Sequence, residues 1–195
     1  SAVGRMKESG PFHAFLAIYQ PQNFTVYKTT DLTAAAAGTG LDVDNAIDLS
    51  AANQILLTGR ETQSGMPGAA VATVTSHGLR FLELSGTGAP GEEILPRELN
   101  EMGEAAGAIR TPDQSRAVLW STSRHGVQLT LIPDLGGSES AARGLNDLGL
   151  VVGFSTTSLG KQHATLFDRA SGNSRDLNLL TDTLGLTLRL ATAVN

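Results

Sequence analysis

Cysteine is absent from the 195 residues, which removes disulfide frameworks, thiolate zinc sites and cysteine nucleophiles together. That absence fits a cytosolic protein and equally an exported bacterial one that does without disulfides. Charge is sparse at 17% and leans acidic, with a formal net charge of -5; a nucleic-acid-binding surface needs clustered Lys and Arg, so DNA and RNA are not expected partners. No apolar run approaches the roughly 18 residues of a membrane-spanning helix, so membrane insertion is not expected either. Aromatic residues make up only 5%, with a single Trp at position 120, which leaves little material for a sugar-stacking platform. The chain opens with "SAVGR" rather than Met and shows no secretory leader, as expected of a trimmed or processed piece.

Hydrophobic residues reach 41% and glycine numbers 22, enough apolar material for one substantial core or one repeat array. Gly, Asn, Asp and Ser punctuate short apolar segments, the pattern of strands and turns rather than long helices. "TAAAAG" at 33–38 and "SAAN" at 50–53 are the locally helix-friendly patches, each too short to be a stable helix alone.

The clearest internal unit is "ARGLNDLGLVVGFS" at 142–155. "PRELNEMGEAAGAI" at 96–109 superposes on it without a gap, placing Asn100 on Asn146, Gly103 on Gly149 and Gly107 on Gly153. A third copy, "AIDLSAANQILLTG" at 46–59, has Ser50 in the Asn place and Asn53 in the first Gly place. Asn for Gly is the exchange expected where the backbone needs positive φ, so the pattern marks a turn. Two further patches recur four times. One aligns Ala14, Ala70, Ala117 and Ala164; the other is an acid before Leu, at Asp31, Glu83, Asp134 and Asp176. From Ser50 to Asn100 to Asn146 to Asn195 the steps are 50, 46 and 49 residues, the size of a four-stranded propeller blade. Repeats are expected at about 1–45, 46–95, 96–141 and 142–190, with 191–195 beginning a fifth or closing a ring.

His13-Ala14-Phe15, "GLNDLGLVVGFSTT" and "DLGG" at 134–137 resemble the HAF repeat, a bacterial extracellular repeat family named for His-Ala-Phe. The resemblance implies a repetitive β fold and a secreted or cell-surface location, and it carries no catalytic residues.

Within a unit, "GLN-DLG-LVVG" reads as strand, tight turn, strand, and "LVVG" is apolar enough for both faces to be covered. The Ala-centred patch supplies a third strand and the acid-Leu segment a fourth. One such sheet cannot bury its own faces, so neighbours must stack. The fold class expected is therefore all-β: a repeat protein, read as a β-propeller of four four-stranded repeats of roughly 46–53 residues. "ATAVN" at the end of the chain matches the strand before the turn, and "SAVG" at the start matches the strand after it. Each terminus thus carries half a hairpin, and the halves are expected to pair across a ring seam or with another copy.

"GTGAPG" at 86–91 satisfies G-x-G-x-x-G, and Leu95, Leu99, Met102, Ala106 and Ile109 have helical spacing. A cofactor helix there would carry Gly103 and Gly107 internally at roughly 1 kcal/mol each relative to Ala, so a loop followed by a hairpin is the better reading and no cofactor is expected. Asp42, Asp44 and Asp48 are spaced like calcium ligands, but no Gly or bidentate Glu completes the loop; they are weak metal candidates against a solvated acidic turn. His13 and His163 share one repeat position, where Ala69 and Arg116 stand in the other units; beside the recurring acids they are expected to make cross-strand pairs. His77 and His125 fit no constellation. No G-x-S-x-G, H-E-x-x-H or P-loop occurs.

The expectation is a non-catalytic binding or scaffold module with an unidentified protein or glycan ligand. The alternative is a carbohydrate-active enzyme, hydrolase or lyase, or its accessory domain, with acids converging in a central channel. Two carboxylates roughly 5 to 10 Å apart with separated pKa values would favour the enzyme, and acids all tied to backbone or Arg would oppose it.

Overall fold

The computed structural model describes residues 2–6, 13–19, 26–180 and 185–195; Ser1 and Phe12 of the repeat patches lie outside them. The fold is all-β and built from antiparallel meanders. Strands β1 (Ala2–Met6), β2 (His13–Tyr19) and β3 (Val26–Asp31) form a three-stranded sheet, followed by a four-residue helix α1 (Leu32–Ala35). Next come β4 (Leu41–Leu49), β5 (Gln54–Glu61), β6 (Pro67–Thr75) and β7 (Gly78–Glu83), paired in that order. The third unit is β8 (Glu93–Leu99), β9 (Glu104–Arg110), β10 (Ser115–Ser123) and β11 (Gly126–Leu131), and the fourth is β12 (Gly136–Leu145), β13 (Leu150–Thr157), β14 (Gln162–Asp168) and β15 (Asn173–Asp176). A single parallel pair, Ser115 with Glu139, joins the third unit to the fourth. Each of the later sheets starts three to six residues before the boundary read from the repeat, because its first strand runs ahead of the matching motif. Among the described residues no helix is long and apolar enough to cross a membrane.

Alternation along each middle strand explains why the sheets stack. Ile55, Leu57, Ala70 and Ala72 face the first sheet, where they meet Ala14, Leu16 and Leu32. Their neighbours Leu56, Ala69 and Val71 face the third sheet and meet Leu99, Ile109, Val118 and Trp120. Ala106, Ala117 and Leu119 then face the fourth, against Ala142, Leu145, Val151 and Phe167. Period-2 alternation gives the middle strands of the second and third sheets two buried faces. Small Ala side chains on facing strands let the sheets approach. Each fully buried Leu or Ile contributes roughly 1.5–3 kcal/mol of apolar burial.

The pairing register corrects one position of the repeat. Leu84 donates its amide to the Ala69 carbonyl as Ile132 donates to Ala117, and Ala69 faces the following unit as Ala117 does, whereas Ala70 faces the preceding one. Ala69, not Ala70, is therefore equivalent to Ala14, Ala117 and Ala164. A slip of one residue in a strand reverses the face, and only the register reveals it.

Candidate functional site

The turns between the first and second strands of the second, third and fourth units form one continuous feature. Asn53, Gly103 and Gly149 all have positive φ (60°, 79° and 78°), and each donates its amide to the carbonyl three residues earlier, at Ser50, Asn100 and Asn146. Asn100 Oδ1 accepts the amides of Met102 (3.1 Å) and Glu104 (2.8 Å), and Asn146 Oδ1 accepts those of Leu148 (3.1 Å) and Leu150 (2.9 Å). Ser50 is too short for this, and its buried hydroxyl has no partner. The exposed ends of that turn are capped from the next unit instead: the Glu101 carboxylate accepts the amides of Ala51 and Ala52, both at 2.8 Å.

Three kinds of hydrogen bond recur where one unit meets the next. Asn100 Nδ2 donates to the Asn146 carbonyl (3.1 Å), and Asn146 Nδ2 donates to the Asn195 carbonyl (3.2 Å). The acid after the Asn reaches back to the previous turn, Glu101 as above and Asp147 Oδ1 accepting the Glu101 amide at 2.9 Å. An acid two residues before the turn reaches forward: Asp48 Oδ2 accepts the Leu99 amide (2.8 Å) and Glu98 Oε2 accepts the Leu145 amide (2.9 Å). Asp48, Glu98 and Gly144 each follow a β-bulge at the same place in their sheets, and a bulge re-aims the side chain beside it. Burial pushes the Glu98 carboxyl above its ordinary value and nearby Asp48 adds to this, while the Leu145 amide works in the opposite direction.

This placement settles what Asp48 does. Its oxygens take the Leu49 and Leu99 amides, and Asp42, Asp44 and Asp48 lie along one extended strand rather than around a turn. Among the described residues no group of three or more His, Asp or Glu gathers to hold a metal.

Base–acid pairs mark the opposite ends of the sheets. His13 Nδ1 donates to Asp31 Oδ2 (2.9 Å), His163 Nδ1 donates to Asp176 Oδ2 (2.6 Å), and Arg116 pairs with Asp134. Asp31 and Asp176 also cap the short helices that follow them, accepting the amides of Ala34 and Asn178. The Ala34 amide leads in holding Asp31 below the usual carboxylate range, against burial and with help from His13. At Asp176 burial is the largest influence and pushes upward, but hydrogen bonds from His163 and Asn178 together outweigh it and lower the pKa. Gly68, not Ala69, occupies the His place in the second unit by register, so Glu83 has no cation opposite it there. Asp134 departs from register: Leu131 pairs with Val118 where Asp31 pairs with Phe15 and Asp176 with Thr165. It sits three residues later, past Pro133, and still reaches Arg116 while accepting the Gly136 amide (2.6 Å).

The loop 85–92 lies between the second and third units. Glu92 holds it by accepting from the Thr87 hydroxyl and the Gly88 amide, and Trp120 Nε1 donates to the Ser85 carbonyl at 2.8 Å. Trp120 is wholly buried, so it is a core plug and offers no sugar platform. Beside the loop opens a cleft of about 480 Å³ with Ile109, Leu131, Ile132 and Pro133 on its apolar side and Thr111, Gln114, Arg116 and Asp134 among its polar lining. In the third unit a buried cluster also forms. Glu104, 2% exposed, accepts from Asn100 Nδ2 (2.9 Å), Ser121 Oγ (3.2 Å) and Arg169.

His77 and His125 turn out to be repeat-equivalent. Each sits in a two-residue turn before a positive-φ glycine, Gly78 or Gly126, and donates its amide to a hydroxyl, Thr75 Oγ1 or Ser123 Oγ. Arg80 of one unit donates to the Arg124 carbonyl in the other turn at 2.9 Å. No family model, curated protein or solved structure matches the chain.

Proposed function

We propose that this chain is a non-catalytic binding or scaffold module, built of β-propeller blades of the HAF-repeat type and belonging to an exported or surface protein. The observation that carries the reading is the employment of the repeated acids. Asp31, Asp134 and Asp176 are each tied to a main-chain amide and to a His or Arg, and Asp48 and Glu98 each take an amide of the next unit. Carboxylates so engaged hold structure, whereas a glycosidase needs one free to give a proton and one free to attack or activate water. The propeller reading draws support from successive meanders, each stacked face to face on the next with one turn motif at the same end. Exported or surface location rests on the family resemblance.

The cleft beside loop 85–92 is the nominated docking face. Its apolar floor and Arg116–Asp134 rim suit an extended protein segment better than a glycan, since no aromatic ring lines it. The enzyme reading draws on Glu98 and Asp48, a pair in which burial and a neighbouring charge push the Glu98 carboxyl above its ordinary value. Incubation with a polysaccharide panel, followed by assays for new reducing ends and for unsaturated products, separates the two. No turnover is expected, with saturable binding of an arrayed peptide set that Thr111→Arg in the cleft abolishes. Turnover lost in Glu98→Gln would replace the module with the enzyme.

A further inference from the structure

The hairpins between the third and fourth strands of the second and third units reach further than that of the fourth. Register aligns Thr73, Ser121 and Asp168, each opposite the first residue of its unit's second strand, Gln54, Glu104 and Leu150. In the fourth unit the pairing ends there, at Asp168 with Asn173, whereas the other two hairpins continue by two residues to Thr75 with Gly78 and Ser123 with Gly126. Two extra residues per strand carry those tips roughly 7 Å further out. The shorter hairpin turns its cation inward, where Arg169 binds the buried Glu104.

The two projecting tips carry basic side chains and no acid. Residues 62–82 and 114–133 contain neither Asp nor Glu, so His77, Arg80, Arg124 and His125, all exposed, have no carboxylate on their own hairpins. Among the described residues none of the four joins an ion pair. The acids of the first turns at the same end of the sheets, Glu101 and Asp147, are engaged by main-chain amides. The tips are fastened side by side: Arg80 donates to the Arg124 carbonyl and Arg124 Nε donates to His125 Nε2, both at 2.9 Å. Each bond uses one of five guanidinium N–H groups, so both heads are held in place without being neutralised. In a chain of net charge -5 this is a local concentration of the opposite sign.

We infer that the paired hairpin tips of the second and third units bind an anionic polysaccharide through its sulfate or carboxylate groups. A guanidinium takes such an oxyanion with two parallel N–H bonds. Residues 75–78 and 123–126 are all Thr, Ser, Arg, His or Gly, so the tips hold no apolar side chain to anchor a peptide, while their hydroxyl and imidazole groups suit the sugar hydroxyls between the charges. Ion pairing takes the place of the aromatic stacking that a neutral sugar would need. The surface shares no residue with the cleft beside loop 85–92 and is independent of what that cleft binds.

Affinity of the whole chain for dextran sulfate and for polygalacturonate, with plain dextran and poly-glutamate in parallel, tests this. At least one of the two anionic glycans should bind, the tighter one naming the oxyanion preferred, and plain dextran should not. Arg80→Gln and Arg124→Gln should each weaken that binding about tenfold while unfolding at the wild-type urea midpoint, since both side chains are exposed. Arg60→Gln removes the same charge from the opposite end of the second sheet and should leave the affinity unchanged. Failure of both anionic glycans to bind, equal losses in all three variants, or poly-glutamate bound as tightly as either glycan would each overturn the inference, the last by making an acidic peptide the partner.

Discussion

The two ends of the sheets solve different problems with the same residue types. At the turn end, acids and Asn bind the main chain of a neighbouring unit, as Asp48 does at Leu99 and Asn100 at Asn146. At the other end, acids bind within their own unit, as Asp176 binds His163 and the helix cap at Asn178. The first set couples sheets and includes the buried Asn100 and Asn146; the second finishes a sheet and runs from the half-exposed Asp31 to the mostly buried Asp176. Removing a group from the turn end should therefore cost more, since a buried polar group left without its partner loses its desolvation energy as well as its bond.

Asn100→Ala marks the extreme of that difference. It orphans the buried Glu104 amide and the partly buried Met102 amide and breaks the link to Asn146, and a loss of about 3 kcal/mol in urea unfolding is expected. Next in size is the effect of Glu98. Its folded pKa is raised by burial, so the folded state holds the proton more tightly: the favourable contribution is complete below the unfolded value and is lost as pH rises through the folded one. Stability of the wild type should fall relative to Glu98→Gln as pH rises across that window, and equal slopes for the two proteins would remove the buried-acid account. A gain tests the comparison from the other side. Ser50→Asn gives the second turn the side chain its counterparts use, and about 1 kcal/mol of added stability is expected. The smallest effect belongs to the other end: Asp176→Asn should cost under about 1 kcal/mol near neutrality. Because Asp176 is lowered, that contribution is present above the ordinary carboxylate value and disappears as pH falls through the folded one. An acid titration of both proteins should therefore converge.

Much of this was legible in the sequence where a backbone need dictates residue type. Positive φ selects Gly or Asn, so Asn53, Gly103 and Gly149 announce their turn at a fixed spacing. Strand alternation and the need to stack follow from the unbroken apolar runs. The register of the Ala patch was not legible, because "AAVA" at 69–72 offers Ala on either face and only hydrogen-bond pairing selects Ala69 over Ala70. Asp134 misled for a related reason: the Leu131-Ile132-Pro133 extension moves the acid out of register, yet a long Arg116 side chain spans the difference. The S/T-x-H-G turns at 75–78 and 123–126 carried a readable signal, since their separation of 48 residues lies within the repeat spacing. The acids at Asp48 and Glu98 carried almost none, because a bulge sets their direction and no residue type specifies a bulge.

The central claim is that strand acids fasten the second sheet to the third and the third to the fourth, each through a single amide. Residue-resolved hydrogen exchange reads it directly at Leu99 and Leu145. Asp48→Ala should release protection at the Leu99 amide and Glu98→Ala at the Leu145 amide, each leaving the other site and the turn amides of Asn100 and Asn146 protected. Unchanged protection at both leucines would mean that the strand acids do not fasten the sheets, and would contradict the account.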